Sequence, residues 1–158
     1  MRCRLTSLCI CLGVLVASIS GCSNPDKEAA WEIIRTPREQ RGQALSKLSP
    51  EKQVDVFVYA DTKIEPPVIL AGEVASNWKS TLPVIKQRLV SETDGGTLAG
   101  MMMILSAVSA QYCSLSGRED VLSVASQAVD KIDAPYRDLA KKQLREITHP
   151  QNQLSRCQ

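Results

Sequence analysis

The sequence predicts an all-α fold, and three observations lead to that prediction. Apolar residues recur every three to four positions in one segment after another. Ser, Thr or Asp followed closely by Pro stands where several of these segments begin, as at helix N-termini. No segment alternates convincingly between apolar and polar residues, and a strand over 54–59 is only the minority alternative. Aromatic residues make up only 4% of the chain, so aliphatic side chains and methionine must fill the core.

The first 21 residues have the three-part layout of a secretory signal peptide. Arg2 and Arg4 give a charged start, residues 8–17 are apolar, and small residues from Ser18 to Gly21 close the segment. The apolar stretch is too short for a membrane span, which needs about 20 residues. We therefore expect 1–21 to be removed, which leaves 158 − 21 = 137 residues, the size of one domain.

Three helices are expected in the first half of the remaining chain. The second should start with Thr36 as N-cap, Pro37 at the first helical position and Glu39 completing a capping box. Ser49 and Pro50 repeat this start signal for the third. The predicted ranges are about 26–35, 37–48 and 50–65, and the pair Pro66-Pro67 ends the third helix.

Five further helices follow. The sixth is apolar nearly all round and should therefore lie at the centre of the fold. The fifth has Ser80 or Thr81 as cap and Pro83 in its first turn, and Asp94-Gly95-Gly96 forms the turn after it. The expected ranges are about 67–78, 82–92, 97–112, 118–132 and 135–148.

Three blocks of similar length, 49–78, 79–112 and 117–148, each read as a helical hairpin. The middle block opens with Leu82-Pro83-Val84-Ile85, has Asp94 at its turn and continues in an Ala- and Met-rich helix. It resembles a HEAT repeat of the armadillo-like superfamily. The resemblance covers roughly 49–148 and implies antiparallel hairpins stacked as a short α-solenoid with a concave protein-binding face. An irregular helical bundle is the alternative.

The sequence Ile19-Ser20-Gly21-Cys22 resembles the lipobox of bacterial lipoproteins. The resemblance implies a diacylglyceryl group on the Cys22 thiol, cleavage before Cys22 and acylation of the new amino group. Ser23 at the next position favours the periplasmic face of the outer membrane, with the inner membrane as the alternative. The expected organisation is a signal peptide over 1–21, a short tether over 22–26 and one helical domain over 27–158.

Charge and cysteine content bear on two further questions, nucleic-acid binding and disulfide formation. Of 19 basic residues two lie in the signal, so 19 − 2 = 17 remain against 17 acidic ones, and the neutral mature chain argues against nucleic-acid binding. Once the signal cysteines are removed and Cys22 carries lipid, Cys113 and Cys157 are the remaining thiols. An oxidising periplasm favours a disulfide between them, and two unpaired thiols are the alternative.

Catalytic signals are weak. His149 is the only histidine and stands beside Pro150, the cysteines lack metal-binding spacing, and the glycines form no phosphate-binding loop, so no catalytic, metal or cofactor residue is predicted. Glu73, within an apolar stretch, is either a partly buried acid or a solvent-facing one. We expect a non-enzymatic, membrane-anchored module that binds an envelope or periplasmic protein, as an assembly factor or a toxin-neutralising immunity-type protein. The alternative is an envelope hydrolase that cleaves a glycan with two carboxylates.

Overall fold

The structure, a computed structural model, describes residues 24–65, 67–112, 115 and 117–148. These residues form eight helices and no strand, so the all-α prediction is confirmed and the strand alternative for 54–59 is wrong. The helices are α1 (Pro25–Arg35), α2 (Arg38–Ser46), α3 (Pro50–Thr62), α4 (Ala71–Ala75), α5 (Trp78–Ser91), α6 (Gly95–Tyr112), α7 (Glu119–Lys131) and α8 (Arg137–Thr148).

Side-chain caps fix the starts of three helices. Asn24 Oδ1 accepts a hydrogen bond from the Asp26 backbone N–H at 2.9 Å at the start of α1. Ser49 Oγ accepts from the Lys52 N–H at 3.2 Å, with Pro50 at the first position of α3, as predicted. Asp94 Oδ1 accepts from the Thr97 N–H at 2.8 Å at the start of α6. Each bond satisfies an amide that the helix itself leaves unpaired.

The contacts between helices divide them into two layers. The odd-numbered helices pack in series, α1 on α3, α3 on α5 and α5 on α7, and the even-numbered ones follow as α2 on α4, α4 on α6 and α6 on α8. The two layers also contact each other through chain neighbours, such as α1 with α2 and α7 with α8. This alternation is the contact pattern of stacked helical hairpins. It includes α1 and α2, so in the described part of the chain the stack begins before residue 49.

Helix α6 lies at the centre, as its apolar sequence predicts. It contacts α3, α4, α5, α7 and α8, and ten of its residues are buried. The side chains of Met101, Met102 and Leu105 are fully buried, together with Phe57 of α3 and Ile85 of α5. Burying a side chain of this size contributes roughly 1.5–3 kcal/mol, so this aliphatic core supplies the main favourable term for the fold.

Polar contacts tie neighbouring helices of the odd layer together. Lys52 of α3 pairs with Asp26 of α1, and Lys86 Nζ of α5 lies 2.8 Å from Asp120 Oδ2 of α7. The Lys131 ammonium of α7 donates to the carbonyl of Val90 at the end of α5, at 2.7 Å. These groups are partly solvent-exposed, so they fix the register of the helices more than they add to stability.

Helix α2 begins differently from the prediction. The helix starts at Arg38, Pro37 occupies the cap position, and no side chain caps it. Thr36 Oγ1 instead donates back to the Glu32 carbonyl at 2.9 Å, and the Arg41 guanidinium donates to the carbonyls of Thr36 and Ile34. Thr36 therefore terminates α1 rather than starting α2, and the predicted capping box is wrong.

Helices α4 and α5 also depart from their predicted bounds. Helix α4 is only Ala71–Ala75, because the chain before it is not helical and the Val68 N–H donates to the Ala60 carbonyl near the end of α3. Helix α5 starts at Trp78, so Pro83 lies inside the helix rather than in its first turn. The Asn77 carbonyl accepts from the N–H groups of Ser80 and Thr81, which allows an earlier start than the cap signals suggested.

Helix α8 starts at Arg137, after a turn over 134–136, instead of near 135. At the other end of the chain, α1 begins at Pro25, so two of the residues assigned to the tether are helical. None of the helices in the described ranges is long and apolar enough to cross a bilayer.

Candidate functional site

The predicted lipid and disulfide positions fall outside the residues that the structure describes. These are Cys22, Cys113 and Cys157, and His149 lies outside as well. Glu73 is described: it lies in α4, is partly exposed, and its carbonyl accepts a hydrogen bond from Ser76 Oγ at 2.6 Å. Its side chain is therefore neither buried nor fully exposed.

A groove of about 290 Å³ opens on the even layer, between the start of α4, one face of α6 and one face of α8. Small side chains on α6 and α4 leave this space, while Met103 and Leu139 give it longer apolar walls. The lining residues recur at helical spacing on both α6 and α8. They are Ala71, Met103, Ser106, Ala107, Ala110, Leu139, Lys142, Gln143 and Glu146.

Two pairs of neighbouring residues show how α6 and α8 lie along this groove. Gly96 lies close to the Tyr136 ring, since a Cβ atom added to the glycine would be 3.8 Å from it. Ser106 Oγ donates to Glu146 Oε2 at 3.2 Å. Both pairs are separated by 40 positions, since 136 − 96 = 146 − 106 = 40. The two helices therefore run parallel, and their C-terminal ends lie at the same edge of the molecule.

Gln143 gives the groove an unusual chemical feature. Its side chain is only 7% exposed, and its Oε1 atom has no hydrogen-bond partner among the residues that the structure describes. A buried amide oxygen without a donor loses its hydration without compensation, which costs on the order of 1–3 kcal/mol. The atom has almost no accessible surface, so a ligand in the groove can donate to it only after the Gln143 side chain turns outward.

The rim of the groove is polar and electrically balanced. Glu146 receives the Ser106 hydroxyl on one carboxylate oxygen, and Lys142 Nζ lies 4.0 Å from the other. Lys142 and Glu146 are both exposed, and Leu139 next to them is 45% exposed. An apolar floor, a neutral polar rim and one unpaired acceptor suit a protein segment better than a small charged molecule.

A half-buried acid lies elsewhere, between α3 and α6, and the sequence analysis missed it. Burial raises the pKa of the Asp61 carboxyl above its usual range. A Cβ atom on Gly100 would lie 2.9 Å from Asp61 Oδ2 and 3.0 Å from Phe57 Cε1, so the glycine makes room for both side chains. The signal in the sequence is the position of Asp61 on α3, four residues after the core residue Phe57.

The groove between α4, α6 and α8 holds a single acid. Glu146 is the one acid among the residues lining the groove, whereas glycan cleavage needs two carboxylates on either side of the substrate. Within 24–65, 67–112, 115 and 117–148, no group of three or more His, Cys, Asp or Glu side chains could hold a metal ion. What this site can do is bind: it offers apolar surface and a hydrogen-bond acceptor.

Comparisons of the chain with known protein families, with curated proteins and with solved structures found no match.

Proposed function

We propose that the protein is a bacterial lipoprotein that acts as a non-enzymatic binding module, and that the groove between α4, α6 and α8 takes up a segment of another envelope protein. The observation that carries the binding role is the unpaired Oε1 atom of Gln143 in the wall of the groove. A partner that inserts an apolar side chain against Met103 and Leu139 and donates an N–H to Gln143 would satisfy this atom once the Gln143 side chain turns into the groove.

The anchor is the second part of the proposal. Cys22 carries the lipid and the protein stands on the periplasmic face of the bacterial outer membrane. The lipobox over residues 19–22 supports it. Each methylene of an acyl chain adds roughly 0.8 kcal/mol of membrane affinity, so two or three chains hold the protein firmly.

Intact-mass analysis of membrane-extracted protein should give a chain that begins at Cys22 with acyl groups added. A Cys22→Ser variant should remain uncut and unlipidated, and an unmodified native chain would contradict the anchor.

We also propose the Cys113–Cys157 disulfide. Helix α6 ends at Tyr112, one residue before Cys113, and the parallel α8 ends at Thr148 at the same edge. The nine residues from 149 to 157 can span up to about 30 Å, which is enough to return to that edge. The bridge would contribute roughly 2 to 4 kcal/mol in the chain-entropy account. The same mass measurement tests it, because reduction of a bridged chain adds two hydrogens, whereas a chain with free thiols keeps its mass.

A photo-crosslinking amino acid tests the binding role in intact cells. Placed at Leu139 in the groove, it should give one major adduct with another protein. Placed at Ser126, an exposed position on α7 in the other layer, it should give none. An Ala107→Arg substitution fills the groove with a long charged side chain and should abolish the adduct at Leu139.

Equal adduct yields at both positions, or an adduct that survives Ala107→Arg, would contradict the proposal. The identity of the captured protein then separates the two roles. A resident envelope protein indicates an assembly factor, and an imported toxin indicates an immunity-type protein.

A further inference from the structure

Helix α1 is the first helix of the described stack, and one of its faces is not covered by any neighbour. It packs on α2 and α3 with Ala30 and Ile33 buried. On the outer side, Lys27, Trp31 and Arg35 follow one another at intervals of four residues and so lie on one stripe of the helix. Trp31 is 37% exposed, and the Arg35 guanidinium lies 6.0 Å from the centre of its ring.

The tether places this face close to the bilayer. Two residues, Ser23 and Asn24, separate Cys22 from the start of α1 at Pro25, and they span at most roughly 7–10 Å. The 11 residues of α1 extend about 16 Å at 1.5 Å per residue. The Asn24 cap also fixes where the chain leaves the helix, because its side chain accepts from the N–H groups of Asp26 and Lys27. A lipid on Cys22 therefore holds the N-terminal end of α1 within about 10 Å of the lipid, and the whole helix can lie along the headgroup layer.

The side chains on this face suit a headgroup layer. Tryptophan is enriched at membrane–water interfaces, where its apolar ring and its N–H are both accommodated. Lys27 and Arg35 flank the ring and can donate to lipid phosphates, with their aliphatic stems lying along the surface. Glu28 and Glu32 lie on the same side of α1 and balance the two cations. The attraction therefore comes mainly from the indole ring and hydrogen bonds, and it should not depend on anionic lipid or on low salt.

We propose that the outer face of α1, with Trp31 between Lys27 and Arg35, lies in the headgroup layer of the membrane that holds the lipid on Cys22. This inference rests on the anchor proposed above and adds how the domain meets the membrane. Along the even layer, α8 follows α2, α4 and α6, so the groove lies at the far end of the contact series from the membrane. A partner can then reach the groove without displacing lipid.

Tryptophan fluorescence tests this contact, since the chain has only two tryptophans. The lipidated protein is purified from membranes and placed in vesicles of phosphatidylethanolamine and phosphatidylglycerol, with or without lipids brominated near the headgroup. In a Trp78→Phe variant only Trp31 emits, and it should lose most of its intensity with brominated lipid, at low and high salt alike. In the matched Trp31→Phe variant the emission comes from Trp78, which packs against the core, and it should keep its intensity. If Trp78→Phe does not fold, the difference in emission between the native and Trp31→Phe proteins gives the quenching of Trp31 by brominated lipid.

Three outcomes keep this inference separate from the anchor itself. Protein that carries the lipid and floats with the vesicles, but whose Trp31 emission is not quenched, overturns the inference and leaves the anchor intact. Protein whose mass shows no lipid overturns both. Trp31 emission that changes with protein concentration instead of with brominated lipid assigns the face to contact between copies, and this also overturns the inference.

Discussion

Replacing Gln143 with methionine should stabilise the protein, although most substitutions at buried positions destabilise. The side chain is 7% exposed and its Oε1 atom has no partner. Methionine has a similar length and no amide to desolvate, so Gln143→Met should recover about 1–3 kcal/mol. For a chain of 158 residues, each kcal/mol corresponds to roughly 2–4 °C in Tm. Urea unfolding should show a higher midpoint with an unchanged slope.

Gln53→Met is the matched control for this prediction. Gln53 is also buried and its Oε1 also lacks a partner, but its Nε2 donates to the Leu48 carbonyl at 3.0 Å. Gln53→Met loses that bond, worth about 1 kcal/mol, so its net gain should be smaller than that of Gln143→Met. A Gln143→Met protein less stable than the native one by more than about 1 kcal/mol would refute the reasoning, because it would mean that the Gln143 amide is already satisfied in the free protein.

Three further substitutions test the structure away from the groove. Gly100→Ala should destabilise by about 1–3 kcal/mol in urea unfolding, because the new Cβ would press on Phe57 in the core; unchanged stability would contradict this packing. Asp61→Asn should stabilise the protein at neutral pH, because burial raises the pKa of Asp61 and disfavours its charged form in the fold. The gain in free energy of unfolding should disappear as the pH falls through that raised pKa toward about 4. A gain that does not depend on pH would contradict this cause. Asp94→Ala should cost about 1 kcal/mol at pH 7 by loss of the α6 cap. Hydrogen bonds from the backbone N–H and the hydroxyl of Thr97 lower the pKa of Asp94. The cost of the substitution, measured in thermal melts, should therefore shrink as the pH falls below about 4. A cost that stays constant would contradict the role of the charged carboxylate in the cap.

The helices could be predicted wherever the sequence carries both a periodic apolar pattern and a local start signal. Ser49-Pro50 starts α3 as expected, and the apolar run around Met101 becomes the central helix. These features are local, because a cap needs three residues and a buried helix needs apolar side chains on all sides. The all-α fold class follows from many such signals acting together.

Helix bounds were missed where a hydrogen bond to a nearby backbone carbonyl overrides the start signal. Threonine is common at N-caps, but the Thr36 hydroxyl donates to the carbonyl of Glu32 in the preceding helix α1. The Arg41 guanidinium donates to the carbonyls of Thr36 and Ile34 in the same turn. The segment before α4 is not helical, and its Val68 N–H donates to the Ala60 carbonyl of α3, 68 − 60 = 8 positions earlier. These bonds depend on how each turn folds, which the residue types alone do not specify.

The groove could not be predicted from the sequence at all. Its residues come from α4, α6 and α8, and only the parallel alignment of α6 and α8 brings them together. In the sequence Gln143 is one polar residue on an amphipathic helix, and its unpaired oxygen exists only because the packing of α8 buries it. The binding role is a prediction from the sequence, which offers few groups for catalysis, and it stays a prediction.

The most direct test of the binding role is the crosslink yield from Met103 in the native protein compared with the Gln143→Met protein. Met103 lines the groove, so a photo-crosslinker at this position reports a bound partner next to Gln143. The expected result is a large loss of adduct in Gln143→Met at equal protein level, although this variant is as stable as the native protein or more so. An undiminished yield would contradict the claim that the partner donates a hydrogen bond to Gln143 Oε1, and no adduct in either protein would contradict binding in the groove.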